Sequence, residues 1–266
     1  MIFGALDRLW RLGATAFAFA LFGLSAVGLS VTAFPLIALL TRDRHRRSAR
    51  VQYLLHLSCR LYLAVLRGLG LLSWRVQGRE HLRGSGQMIV ANHPSLIDVL
   101  FLLAWLPQAD CIMKASLSSN PFLRWTVAWA GYLGNATPDG LIDDCVAVLR
   151  AGRTLIVFPE GTRSIPGQPR PFKRGAARIA LASDAELVPV RIRCAPPTLI
   201  KHQPWWQIPA RRPHFDFEIG APFRVARLTK GDAPAKAARD VSEHLQRLLA
   251  PLPSSSSNRQ AADDAV

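Results

Sequence analysis

Hydrophobic and polar positions divide the chain into two regimes. Residues 13–40 contain no charged side chain. About 20 apolar residues are enough to cross a bilayer as a helix. The run therefore predicts a membrane helix, either spanning or, with Pro35 able to kink it, inserted as a shallow or re-entrant segment. The buried helix of a soluble domain fits the same pattern. A cleavable signal has an apolar run of only about 7–15 residues, and this run is longer. Residues 51–74 follow, with Leu54, Leu57, Leu61 and Ala64-Val65 at helical spacing and His56, Arg60 and Arg67 interrupting them. Two readings fit: an amphipathic helix in the headgroup region, or a core helix of the domain that follows.

From Val76 onward short apolar runs alternate with helical stretches. Strands are expected at residues 87–91, 110–113, 154–158 and 187–193. Another is expected at 214–219, near an edge, where Phe215, Phe217 and Ile219 share one face. Helices are expected at 96–106, closed by Pro107, then at 121–130, 141–151, 176–183 and 232–249. Alternating strands and helices predict an α/β fold, a sheet with helices on its faces. Three segments result: residues 1–74, hydrophobic and amphipathic helices; residues 75–250, the main domain; and residues 251–266, a polar low-complexity tail expected to be disordered.

Charge adds a partner class. Thirty-three Lys and Arg against 18 Asp and Glu give a net charge of +15. This balance favours nucleic acid, anionic lipid or an acidic carrier. Five arginines fall within residues 42–50, directly after the apolar run, whereas Arg8 and Arg11 before it are offset by Asp7. If the run spans, the positive-inside bias puts the main domain on the cytoplasmic side of an inner or plasma membrane. No zinc-finger or RNA-recognition signature is present, so an anionic membrane surface is the simpler partner and no nucleic acid is expected. Trp205-Trp206, among Lys201, Arg211 and Arg212, suits either the membrane interface or a packed surface loop. Cys59, Cys111, Cys145 and Cys194 are scattered, so neither a disulfide framework nor a metal site is expected.

Two motifs carry candidate chemistry. The first is Asn92-His93-Pro94-Ser95-Leu96-Ile97-Asp98, between an expected strand and an expected helix. His93 then sits at the carboxyl end of a strand, where open α/β sheets place their crevices. Within one helix, positions five apart point about 140° from each other. The two side chains meet only if His93 lies on the loop and Asp98 in the first helical turn. A histidine held by a carboxylate is a general-base unit. Ser95-x-x-Asp98 also fits a capping box, in which Asp98 serves the helix alone. The second motif, Phe158-Pro159-Glu160-Gly161-Thr162-Arg163-Ser164, also follows a strand. Gly161 permits close backbone approach, and Arg163 offers a planar fork for phosphate or carboxylate. Glu160 can pair with Arg163 or accept from a sugar or glycerol hydroxyl. Taken alone, the heptapeptide is better read as a salt-bridged turn.

Taken together, the motifs resemble the glycerolipid acyltransferase family typified by 1-acylglycerol-3-phosphate acyltransferase. Its two blocks are matched by Asn92, His93, Ser95 and Asp98 and by all seven residues from Phe158, with starts 66 positions apart. Lys114, Phe172-Lys173-Arg174-Gly175 and Val188-Pro189-Val190 match further pieces, over roughly residues 75–225. The resemblance implies a mixed sheet flanked by helices and a fatty-acyl transfer to the hydroxyl of a lyso-lipid. It makes His93 and Asp98 the catalytic dyad and assigns acceptor binding to Glu160, Gly161, Thr162 and Arg163, with Lys114, Lys173 and Gly175 as further binding residues. Pro189 falls on the acyl-donor side. The donor is acyl-CoA or acyl-carrier protein, and no cofactor or metal is implied.

The match has gaps. Thr137 stands where the family's phosphate-binding block has arginine, and Ser116 where a glutamate often follows the lysine. Losing an arginine fork removes a charge-assisted bond of about 1.5–3 kcal/mol. Arg163, Lys173 or Arg174 can compensate. Alternatively the acceptor lacks that phosphate, as in an aminolipid, a glycolipid or a specialised metabolite. A non-catalytic lipid-binding relative is the remaining reading.

Overall fold

Helix α1 (Ile2–Val31) is followed by α2 (Ala33–Leu40) in the computed structural model, which describes residues 2–114, 119–134, 138–168, 170–228 and 233–250. The expected kink falls at Thr32, just before Pro35. Proline has no N–H for the preceding turn, and the Thr32 hydroxyl donates to the Gly28 carbonyl at 2.7 Å. These helices do not stand free of the rest. Trp10 Nε1 donates to the Leu69 carbonyl, Tyr62 donates to Ala18 O, and the Ser30 and Thr126 hydroxyls meet at 3.1 Å. Helix α1 therefore lies lengthwise along the domain. Its outward positions Leu6, Leu9, Trp10, Phe17 and Leu24 are exposed.

Helix α3 (Arg44–Gly68) starts on the Asp43 cap, whose carboxylate accepts from Arg46 N–H at 2.7 Å. It buries Val51, Leu55, Cys59, Leu63 and Leu66. Leu57 and Leu61 of the stripe read from the sequence are 41% and 69% exposed. One face packs in the core and the other presents leucines outward.

The sheet has the order β1-β7-β6-β2-β5-β3-β4 among the described residues. Its strands are β1 (Ser73–Gln77), β2 (Gln87–Ala91), β3 (Asp110–Met113), β4 (Leu133–Gly134), β5 (Leu155–Val157), β6 (Glu186–Ala195) and β7 (His214–Ile219). All neighbours are parallel except β6 and β7. β2 and β5 are apolar and buried on both faces, as interior parallel strands must be. β1 was not expected, and it displaces β7 from the edge. Its five residues alternate for too short a run beside an apolar helix for the period to show. The sheet consequently begins at Ser73, inside the segment assigned to the N-terminal helices. The tail at 251–266 lies outside the described residues.

Helix α4 (Asp98–Trp105) and α3 cover one face of the sheet. There Phe101 meets Trp74, Trp105, Phe215 and Phe217 at centroid distances of 4.7 to 5.8 Å. Such ring pairs contribute about 0.5–1.5 kcal/mol each beyond burial. Helices α6 (Pro138–Arg150), α7 (Arg174–Ser183) and α8 (Pro234–Leu249) close the other face. Helix α5 (Arg124–Ala130) packs beside α1 and α3.

Candidate active site

Strand register assembles the site. β2 and β5 are parallel, with Val90 opposite Val157. His93 lies three residues beyond Val90 and Glu160 three beyond Val157, so the two motifs leave the sheet side by side. They are then joined directly. His93 N–H donates to Glu160 Oε1 at 3.0 Å, and Ser164 N–H donates to the His93 carbonyl at 2.7 Å. The Asn92 amide adds a rung to β6, donating to Ile192 O at 2.8 Å and accepting from Ile192 N–H at 2.7 Å.

The loop conformation brings His93 and Asp98 together. Asp98 is the first residue of α4, and its Oδ2 lies 3.0 Å from His93 Nδ1. The same oxygen accepts from Ser95 N–H at 2.6 Å. One carboxylate thus serves both the histidine and the helix start, so the two readings of Asp98 are compatible. The capping box is only half formed, because the buried Ser95 hydroxyl has no partner among the described residues. Asp98 is fully buried and its Oδ1 has no partner there either. Burial pushes its carboxyl above the ordinary carboxylate value, while the His93 contact and the Ser95 N–H pull it down. The His93 ring stacks on Phe158, with centroids 4.3 Å apart, and its side chain is 17% exposed. With Nδ1 on Asp98, Nε2 has no hydrogen-bond partner among the described residues. An imidazole in this state can accept a proton.

The second motif works differently from what its residue types imply. Glu160 is buried and makes no ion pair with Arg163. Its Oε1 accepts from His93 N–H and its two oxygens share the Ser164 hydroxyl at 2.8 and 2.7 Å. The carboxylate braces the dyad loop through these bonds. Arg163 Nη1 donates to the Leu199 and Ile200 carbonyls at 2.8 and 3.2 Å. Burial lowers its guanidinium from the ordinary value and the Asp98 charge raises it. Gly161 has φ +66, and a Cβ there would sit 2.9 Å from Lys173 Cε and Nζ. The Lys173 tip can move aside, and it is the left-handed φ that makes any other residue strained here. Thr162 is in the same turn. Lys173 N–H donates to Pro159 O at 2.8 Å, which fixes the start of α7 and its first-turn Gly175 against the motif.

Lys114 is exposed at the end of β3, on the same edge of the sheet because β3, β5 and β2 run parallel. Pro189 is set apart. It is opposite Val90 within β6, packs on Gly220, and lines a cleft of about 370 Å³ with Arg191, Leu248 and Leu249. The lining of that cleft does not include His93 or Asp98. Asn92, Phe158 and Ser164 were legible only as motif letters. Their roles depend on partners 100, 65 and 71 positions from them or from His93 in sequence, which no spacing rule links. Thr137 and Ser116 lie outside the described residues.

Residues 73–193 match the Acyltransferase family, a shorter stretch than the motif resemblance covers. The chain is 32% identical over 124 residues to the chloroplast 1-acyl-sn-glycerol-3-phosphate acyltransferase of Brassica napus, covering 44% of this chain and 36% of that protein. It is 34% identical over 125 residues to the 1-acyl-sn-glycerol-3-phosphate acyltransferase of Saccharomyces cerevisiae, covering 44% and 41%. For the enzyme of that name from Helicobacter pylori the identity is 34% over 111 residues, covering 39% and 47%. The chain therefore spans less than half the length of these relatives. The crystal structure of the 1-acyl-sn-glycerophosphate acyltransferase PlsC from Thermotoga maritima superposes with a TM-score of 0.67 at 21% identity, covering 94% of this chain and all of that one. That likeness concerns the fold. The matched stretch runs from the first residue of β1 into β6 and contains both motifs, so residues 73–193 form an Acyltransferase-family domain.

Proposed function

We propose that this protein is a membrane-bound O-acyltransferase that moves a fatty acyl group from acyl-CoA or acyl-carrier protein to a lyso-lipid hydroxyl, with His93 as general base. The observation that carries the reading is the His93 Nδ1 to Asp98 Oδ2 contact of 3.0 Å at the carboxyl edge of the sheet, with Nε2 unpartnered among the described residues. Asp98 holds the tautomer with the proton on Nδ1. Nε2 takes the proton of the acceptor hydroxyl as its oxygen attacks the thioester carbonyl. The C–S bond then breaks, and the thiol leaves with a proton returned through the imidazolium. No acyl-enzyme intermediate is needed, because the acceptor oxygen attacks directly.

The exposed apolar positions of α1, α2 and α3 support membrane residence. The segment 6–40 is long and apolar enough to cross a bilayer by length and composition. Its lengthwise packing on the domain favours insertion beside the domain over a free-standing span, with the five arginines of residues 42–50 at anionic headgroups. The similar proteins are named for 1-acyl-sn-glycerol-3-phosphate, and that acceptor is the leading candidate. A second reading, a phosphate-free acceptor, is favoured by Thr137 in place of the family's arginine.

The test is an acyl-transfer assay in detergent on wild type and His93→Ala, across lyso-lipid acceptors and both donor types. His93-dependent acylation of lysophosphatidic acid is the expected result, with a loss of at least ~10²-fold in the variant. Activity confined to phosphate-free acceptors would transfer the assignment to the second reading. Undiminished activity in His93→Ala would remove the dyad from the mechanism.

A further inference from the structure

The loop between β6 and β7, residues 196–213, takes no part in the proton transfer, yet it touches two functional regions. At its start the Leu199 carbonyl accepts from Leu96 N–H at 3.2 Å and from Arg163 Nη1 at 2.8 Å. Leu96 follows Ser95 in the turn that leads into Asp98, so the loop is bonded to the backbone that aims the dyad. Leu199 has φ +51 and His202 φ +64, left-handed values that non-glycine residues adopt only when held. The bonds to the Leu199 carbonyl supply that restraint.

At its far end the loop is tied to the N-terminal helix. Arg11 of α1 donates from Nη1 to Pro209 O and from Nη2 to Ala210 O, each at 2.9 Å. Phe19 of α1 packs on Trp205 with centroids 5.8 Å apart. Trp205 in turn meets Trp206 edge-on at 5.6 Å, and Trp206 is 60% exposed. Arg211 and Arg212 beside them are exposed. Trp205 joins the loop to α1 through Phe19, and the two arginines add positive charge to the same loop, Arg212 donating to the Leu72 carbonyl. An amphipathic ring next to cationic side chains matches the headgroup layer of a bilayer, where the ring is partly dehydrated and the charge stays among phosphates.

We propose that residues 196–213 form a second membrane-contact element, in which Trp206 enters the headgroup layer of an anionic bilayer and the seating of the loop is passed through the Leu199 carbonyl to the turn that carries Asp98. This rests on the membrane reading above and adds a separate contact, outside the apolar N-terminus, that meets the site directly.

The experiment has a binding arm and a rate arm. An environment-sensitive fluorophore is attached to the Trp206→Cys variant, with wild type treated identically as the blank, and vesicles of phosphatidylcholine and phosphatidylglycerol are added. A blue shift with rising intensity is expected, and an unchanged spectrum would overturn the contact. In the rate arm, Trp206→Ala is compared with wild type on acceptor presented in those vesicles and on short-chain acceptor dispersed in detergent. About tenfold loss on vesicles, with the dispersed rate retained, is expected from removing one partly buried indole. Equal loss in both formats would make the loop merely structural, and no loss in either would overturn the coupling. A change of oligomeric state on size exclusion would assign the indole to a second copy of the chain and also overturn it. Vesicle co-sedimentation of the unaltered protein separates the two levels. If it does not bind, the membrane reading itself fails; if it binds while Trp206 reports nothing, only this proposal fails.

Discussion

The dyad rests on one oxygen. Asp98 Oδ2 meets both His93 Nδ1 and Ser95 N–H, while Oδ1 is buried without a partner among the described residues. A carboxyl raised by burial ionises less readily in the fold than in the unfolded chain. Its ionised form therefore costs stability above the unfolded value of about 4, and that cost grows with pH up to the folded value. Asp98→Asn keeps the shape and removes the buried charge. We expect its thermal midpoint at neutral pH to equal or exceed wild type, with the difference shrinking as the pH falls through the carboxylate range. Turnover should fall by about two to four orders of magnitude, because an amide no longer enforces the tautomer. Melting curves across pH beside a turnover assay check both halves, and a strongly destabilised Asn variant would make Asp98 chiefly a helix-start residue. Glu160→Ala leaves the buried His93 N–H and the Ser164 hydroxyl without their acceptor, at a cost of about 1–3 kcal/mol. Glu160 acts through His93, so kcat should fall with KM little changed and the pH profile should keep its shape. Glu160→Gln, whose amide oxygen still accepts from His93 N–H, should recover part of the rate. A variant altered in KM alone would return Glu160 to acceptor binding.

At the scale of elements, α3 has one face in the protein core and one exposed face that the proposed function places at a bilayer. Leu63 is buried against the sheet side and Leu61, two positions earlier, faces out. Leu63→Ala should cost about 2–5 kcal/mol in a denaturant melt. Leu57→Asn and Leu61→Asn should each change stability by less than ~0.5 kcal/mol. Those two variants should bind vesicles more weakly, as co-sedimentation would show. Equal losses of stability at all three positions would mean the outward face is covered by protein. The same helix shows why spacing alone left two readings open. A stripe of leucines marks an apolar face but not its neighbour, and lipid and protein core accept leucine equally. The arginines and Tyr53 on the outward side suit an interface better than either interior.

For the whole molecule, the proposed membrane reading has a charge of +15 and an apolar flank acting on one bilayer by different ranges. The electrostatic part is screened by salt and the apolar part is not. Binding to phosphatidylglycerol-containing vesicles should weaken as salt rises and then level off above zero. Complete release at high salt would leave electrostatics alone and remove the insertion. The thiols take no part in this picture. Cys59 and Cys111 are buried, and burial pushes both up to about 12. Thiolate chemistry at neutral pH is therefore suppressed at those two positions.

The sequence by itself determined the α/β class, most strand and helix positions, the apolar N-terminus and the two blocks around His93 and Glu160. These are local properties, set by hydrophobic period, by turn residues and by a spacing that motif matching can read. It did not determine β1, because five alternating residues beside an apolar helix leave no separable period. It left the partners of Glu160 and Arg163 open, and the fold gives Glu160 to His93 N–H and Arg163 to the Leu199 carbonyl. Such roles depend on which backbone groups the parallel register of β2 and β5 brings alongside, and on where a loop 36 positions further along returns. Hydrogen-bond partners are set by distance in space, and only the tertiary structure fixes that distance.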